Sequence, residues 1–193
     1  MLSALIALIV LALVALLILP RYLGFRAQSP AQYATLGPKF DARRHLNGPI
    51  LCEGVIFGPL GRVTSRFVAQ MHGTWHENQC RLTERFLYDS GVEQNRAWDL
   101  TLGADGVLNA AADDLVGAGL GRVEGNAVQM RYKIRLPAAS GGHVLNVVDW
   151  MYLMPNGTIM NRSQFRKFGI KMAELVATMR PADPMVAAPV TAP

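Results

Sequence analysis

The sequence predicts a mainly β protein: an antiparallel up-and-down barrel with a C-terminal helix packed outside, preceded by one transmembrane helix. Three observations carry this. The chain opens on an unbroken apolar run. A long series of short segments then alternates with period two between turn signals. The last regular segment before the tail switches to helical period.

The apolar run is Leu2 to Leu19, with Ser3 its one polar side chain, and it stops at Pro20-Arg21. A run of roughly 18 apolar residues can cross the hydrocarbon core as a helix. No basic residue precedes it, and PRYLGFRAQS follows where a cleavage site would lie, so an uncleaved anchor is expected over 1–20. No cysteine stands at the boundary, which leaves no site for a lipid anchor. Arg21, Arg26, Lys39, Arg43 and Arg44 all follow the span, and the positive-inside rule taken alone puts the domain in the cytoplasm.

Of the 193 residues 51% are hydrophobic and 17% charged, and the net charge is +5. The anchor inflates the first figure. The basic residues form no dense run and are not interleaved with aromatics, which argues against nucleic acid. Cys52 and Cys80 are too few for a disulfide framework. His45, His72, His76 and His143 lack metal-ligand spacing, and no phosphate loop, dinucleotide fingerprint or nucleophile elbow is present. No metal, cofactor or catalytic residue is therefore expected.

Residues 21–45, interrupted by Pro30 and Pro38, read as a juxtamembrane linker. From there to residue 180 the chain reads as one barrel domain. Gly48 to Phe57 is the first strand and GPLG its turn. Arg62 to Trp75 sets Val63, Phe67, Ala69, Met71 and Trp75 against Arg62, Thr64, Arg66, Gln70 and His72. Cys80 to Tyr88, Gln94 to Leu102 and Val107 to Asp113 follow, separated by Asp89-Ser90-Gly91 and Ala104-Asp105-Gly106. GAGLGRVEGN holds a short bent strand. Val128 to Leu136 alternates cleanly, and His143 to Met154 and Thr158 to Phe168 flank Pro155-Asn156-Gly157. Gly169 to Arg180 places Met172, Leu175, Val176 and Met179 on one helical stripe. The Pro/Ala-rich residues 181–193 read as a disordered tail. Nine or ten strands without long crossovers must be mostly antiparallel, and such a meander closes into a lipocalin- or calycin-like barrel able to hold one small ligand.

Candidate site residues follow from the facing pattern. Glu84 and Arg96 fall on inward positions of consecutive strands, where each charge needs a partner. They are read as a polar clamp for a ligand headgroup, or as a structural ion pair. Trp75, Tyr88, Trp98 and Tyr132 are large aromatics expected near the cavity, and Trp150 packs with them. Asp149 and Arg162 flank the Pro-Asn-Gly turn and are expected to pair across it at the barrel mouth. Asp113-Asp114 resembles half of an acid/base site, but capping of the glycine turn is the preferred role.

The order EGVIFGPLGRVTSRFVAQMHGTW, LTERFLYDSGVEQNRAWDLT, ADDLVG, GNAVQMRYKIRLP, VVDWMYLMPNGTIMNRSQFRKFG resembles a bacterial family known as domain of unknown function 3833, over roughly 46–180. The resemblance implies lipoprotein relatives and so a domain outside the cytoplasmic membrane. It implies no catalytic residues, and it associates the family with membrane fatty-acid modification. The expected protein is therefore a single-pass inner-membrane protein with a periplasmic domain, the cytoplasmic side being the alternative. The expected function is binding of a membrane lipid, a fatty-acyl ligand or another apolar molecule, in support of membrane lipid modification or an envelope stress response. The alternatives are an accessory subunit with a membrane-protein partner and a lipid-modifying enzyme.

Overall fold

The structure, a computed structural model, describes residues 2–182, with the side chains at 16–18, 20 and 21 set aside; all but the start of the predicted tail lies outside that range. Helix α1 runs Leu2–Tyr22 and α2 is the single turn Ala42–His45. Ten strands follow: β1 Gly48–Phe57, β2 Val63–His76, β3 Gln79–Tyr88, β4 Glu93–Leu102, β5 Val107–Ala111, β6 Gly119–Glu124, β7 Ala127–Arg135, β8 Val144–Leu153, β9 Ile159–Lys167 and β10 Ile170–Pro181. Each pairs antiparallel with its neighbours in sequence, and β1 pairs with β10 to close the barrel.

Period-two alternation makes the core. Phe67, Ala69 and Met71 of β2 face inward with Cys80, Leu82 and Glu84 of β3, and Trp98 and Leu100 of β4 join them. Turns sit where glycine permits left-handed backbone, as at Gly157 (φ 84°) between β8 and β9. Gly54 of β1 is required for a different reason. A Cβ there would collide with the Phe67 ring lying across it.

The expected C-terminal helix is a strand. Residues 170–181 form β10, paired with β9 on one side and with β1 from Ile50↔Pro181 to Phe57↔Glu174 on the other. The stripe Met172, Leu175, Val176, Met179 fits a helix, but Leu175, Ala177 and Met179 fit period two equally well. The edges of β1 and β9 would otherwise carry unpaired backbone groups, and their demand decides between the two.

The segment before β1 is not a free linker. Its backbone runs down the outer wall and then under the barrel. The Phe25 ring lies 5.0 Å from the Arg162 guanidinium on β9. Gln28 accepts from the Tyr33 hydroxyl (2.6 Å) and from the Tyr152 hydroxyl on β8 (2.8 Å). Tyr33 covers Trp150, which has no exposed surface, at 5.2 Å between rings. The Phe40 amide then donates to the Gly125 carbonyl (2.7 Å), and Phe40, Ala42 and Leu46 are buried in the core. This strap forms the floor. The Trp75 indole donates to the Leu46 carbonyl (3.0 Å), and Gly73 has no room for a Cβ beneath the same carbonyl.

In α1 the described large side chains are exposed, among them Leu2 (72%), Leu8 (64%) and Leu11 (66%). Counting described residues alone, no helix is long and apolar enough to cross a membrane.

Candidate functional site

The inward faces enclose a space of about 1020 Å³. Its wall is apolar over most of its area: Phe67, Phe86 and Leu82 on one side, Met130, Ile134 and Phe165 on the other. Leu46 contributes to the floor. At the opposite end the space opens between the β3–β4 turn (Ser90, Val92) and the β7–β8 loop (Pro137 to Ser140). Ten strands account for this room. About eight strands leave an interior that side chains can fill, and each further strand widens it. A second depression of about 1040 Å³ lies against the outer pleats of β1–β4, lined by Gln70, Thr83 and Asn95 among others. It is an open surface trough and shares only four lining residues, Met71, Glu84, Arg96 and Asp113, with the interior.

One polar cluster interrupts the apolar wall. Glu84 and Arg96 are cross-strand partners in the β3–β4 register, and an Arg96 Nη1–Glu84 Oε2 distance of 3.8 Å makes them a loose pair. Asp114 is the stronger partner. It accepts from Arg96 Nε at 2.8 Å and Nη2 at 2.9 Å, a bidentate fork. The guanidinium also lies 3.9 Å over the Trp98 ring, and Tyr132 meets Trp98 edge-on at 5.2 Å. Arg96 thus has its fork, its remaining end and its face committed before any ligand arrives.

Glu84 is buried, and its Oε2 has no hydrogen-bond donor. Burial pushes its carboxyl up to about 7, while Arg96 and the Trp98 indole pull the other way. Asp149 sits across the space on β8. It accepts from Ser163 Oγ (2.7 Å) and from Asn161 Nδ2, both on β9. Burial raises its carboxyl too, against the pull of Ser163, Asn161 and Arg96. Burial likewise lifts the Tyr132 hydroxyl well above its usual value and the Cys52 thiol to about 12, so neither ionises readily. Cys52 and Cys80 are both free.

The sequence-derived candidates divide. Glu84, Arg96, Trp98, Tyr88, Tyr132 and Asp149 all line the interior. Trp75 and Arg162 do not. Trp75 belongs to the floor through its bond to Leu46. The expected Asp149–Arg162 pair does not form, because Asp149 stands opposite Ser163 while Arg162 stands opposite Trp150 on the outer face. Neighbours on a strand point to opposite faces, so a one-residue offset separates them. Arg162 donates to Glu174 (2.6 Å) beneath the strap. Glu174 also accepts from Lys171 (2.7 Å) and Gln164 (3.2 Å), and these donors overcome burial to hold it at about 2.

Asp114 is the residue that sequence reasoning assigned elsewhere. It lies in the β5–β6 loop, which is tied to β7 by Val116 N–Lys133 O (2.9 Å) and Arg135 N–Asp114 O (2.8 Å). The loop folds over the strand ends and delivers the carboxylate inward. The available signal was an acidic residue within reach of an inward arginine on a neighbouring strand. Among the described residues no group of three or more His, Cys, Asp or Glu is placed to hold a metal ion.

The family model described as a protein of unknown function (DUF3833) matches residues 20–181. The chain belongs to this family. The match includes the strap as well as the barrel, so the DUF3833 unit starts where the apolar run ends. No curated protein matches the sequence. Among solved structures this DUF3833 protein is similar to the S-type phycobiliprotein lyase CPES from Guillardia theta. Identity is 6%, coverage is 72% of this chain and 89% of the lyase, and the TM-score is 0.53. It is also similar to the redesigned β-barrel mFAP1 bound to DFHBI (11% identity, 72% and 97% covered, TM-score 0.39). An exported protein with a YmcC-like fold from Bacteroides fragilis is a third (9%, 68% and 94%, TM-score 0.34). The lyase likeness is one of fold.

Proposed function

We propose that this protein is a membrane-anchored binding module that houses a molecule with a long apolar tail and an uncharged or cationic, hydrogen-bond-donating head. The carrying observation is the 1020 Å³ apolar interior with one acid-rich polar cluster in its wall. That volume stands at the upper end of the roughly 300–1,000 Å³ typical of small-molecule sites. Each methylene withdrawn from water there contributes about 0.8 kcal/mol.

The head follows from the charges. In the wall cluster Glu84, Asp114 and Asp149 stand against Arg96, whose donors Asp114 already takes; the other lining cation, Arg135, is exposed at the mouth. A fatty-acid carboxylate at the wall cluster would add a negative charge and find no free arginine fork there, Arg135 standing apart at the mouth. A hydroxyl, amide or amine head would supply the donor that Glu84 Oε2 lacks. The same preference narrows the fatty-acyl expectation to acyl chains carried on a neutral or basic head.

The anchor is α1. Counted with the side chains set aside above, its 21 residues span about 32 Å at 1.5 Å per residue, against a hydrocarbon core of about 30 Å. Its exposed leucines support a lipid environment. The proposed place of action is the periplasmic surface of the cytoplasmic membrane, in the service of membrane lipid modification.

The test is native mass spectrometry of the full chain released from neutral-detergent micelles after exposure to an equimolar mixture of monododecanoylglycerol, dodecylamine and dodecanoate. The expected result is bound glycerolipid or amine in at least tenfold excess over dodecanoate. No bound chain of any kind would overturn the cavity reading; preferred dodecanoate would overturn the head assignment.

A further inference from the structure

The two ends of the barrel differ in chemistry. At the open end Leu60 of the β1–β2 turn is 91% exposed, Phe168 of the β9–β10 turn 90%, Ile170 65% and Val92 of the β3–β4 turn 58%. The β1–β2 and β9–β10 turns are neighbours, because β1 lies beside β10. At the floor end the turns are Glu77-Asn78, Ala104-Asp105, Gly125-Asn126 and Pro155-Asn156, with Met154 the large exposed apolar residue of those turns.

Phe168 has a further peculiarity. Its φ is 52°, followed by Gly169 at 83°, so a bulky aromatic occupies a left-handed position that asparagine or glycine normally fills. The turn holds the ring at its tip although both conformation and solvation oppose it. Such a residue fits a surface that an apolar phase covers.

Charge follows the same polarity. Arg62, Arg135, Lys167 and Lys171 lie at the open end. Of the acids there, Asp89 is engaged by Arg66, Glu93 by Arg85 and Asp114 by Arg96, while Asp113 of the β5–β6 loop enters no ion pair among the described residues. Arg62 and Arg135 enter no ion pair among the described residues.

The path of the chain supplies the occupant. The strap starts against the middle of the outer wall, with Phe25 at Arg162, in register with the Trp150 that Tyr33 covers, and ends at the floor. Tyr22 closes α1 three residues before Phe25. The anchor therefore joins the barrel on its outer wall at β9, and the floor end is taken up by the strap.

We infer that the open rim docks into the bilayer that α1 spans, with Leu60, Phe168, Ile170 and Val92 entering the headgroup–acyl boundary and the basic rim residues facing anionic headgroups. This rests on the reading of α1 as an anchor. It goes beyond the binding proposal in giving the cavity its source: the mouth opens directly onto the lipid phase. An apolar patch and a basic patch together are the combination that holds an interfacial surface to an anionic membrane.

The test uses the full chain in vesicles of phosphatidylcholine and phosphatidylglycerol. Phe168→Trp and Leu60→Trp each add an indole to the rim, and Asn156→Trp adds one to the floor end as a control. The spectrum of each is read as a difference from the parent chain. Emission at 168 and 60 is expected to be blue-shifted, quenched by bromines on the acyl chains and shielded from iodide, with the reverse at 156. Iodide quenching at 168 and 60 equal to that at 156 would overturn the inference. Equal burial in phosphatidylcholine alone would overturn its charged part. Vesicle flotation separates the two readings: a chain that fails to float has lost the anchor, whereas one that floats with aqueous rim indoles has lost the docking alone.

Discussion

Glu84 ties stability to pH in the direction opposite to most surface carboxylates. In the folded barrel it keeps its proton up to about 7, against 4.5 for an ordinary glutamate. Between those values the native state binds more protons than the unfolded chain. The stability this contributes is complete below 4.5 and is lost as pH rises through about 7. Asp149, raised by the same burial, adds to the trend, whereas the stabilisation from Glu174 is complete above 4.5 and is lost as pH falls through about 2. The melting temperature should therefore fall from about pH 5 to about pH 8, and Glu84→Gln should flatten that fall. An unchanged slope would mean that Glu84 titrates normally. Asp114→Ala tests the partner. It leaves a buried guanidinium with only the 3.8 Å contact to Glu84. The expected loss is roughly 2–3 kcal/mol in chemical denaturation, below the full cost of breaking a buried pair because Asp114 itself is partly exposed.

At the scale of elements, the strap and β10 decide whether the barrel is closed. Gly73→Ala would press a Cβ into the Leu46 carbonyl and lift the floor. Cys80 sits under that floor, 3% exposed and with its thiol raised by burial. The variant should show a lower melting temperature and a Cys80 that reacts with a thiol reagent at many times the parental rate; a Cys80 still protected would show that the floor stays in place. β10 shows where sequence reading reaches its limit. The earlier strands were legible because each carries polar residues on one face, as in Arg131, Lys133 and Arg135 against Tyr132 and Ile134. β10 has small or apolar residues on both faces around Ala177, so two periods fit it equally. Its register is set by β1, more than a hundred residues earlier in the chain. Asp114 was obscured for a related reason: no local pattern tells which way a carboxylate in a glycine-rich loop will turn. Glu84 and Arg96 were legible because their positions follow from strict alternation on adjacent strands.

The whole molecule is a closed wall with an occupied floor and an open mouth. Phe40, Ala42 and Leu46 fill one end, and the other lies between the β3–β4 turn and the β7–β8 loop. Closure leaves no free sheet edge on which a partner strand could pair. Ala177→Pro would remove a central ladder bond from β10, which pairs there with Gly54 and Asn161. The expected outcome is loss of about 3 kcal/mol or more, with β1 and β9 amides exchanging fastest in hydrogen exchange. Uniform exchange around the barrel would instead assign closure to the other strands.

The plugged floor has a consequence for traffic. A tube open at both ends can conduct, and its throughput depends on its bore. A chamber with one door cannot: whatever enters must leave by the way it came, tail and head in reverse order. Such a vessel carries no steady current by itself. Under the proposed binding role it would store, present or exchange its content one molecule at a time, with the direction of net movement set by whatever stands at the door.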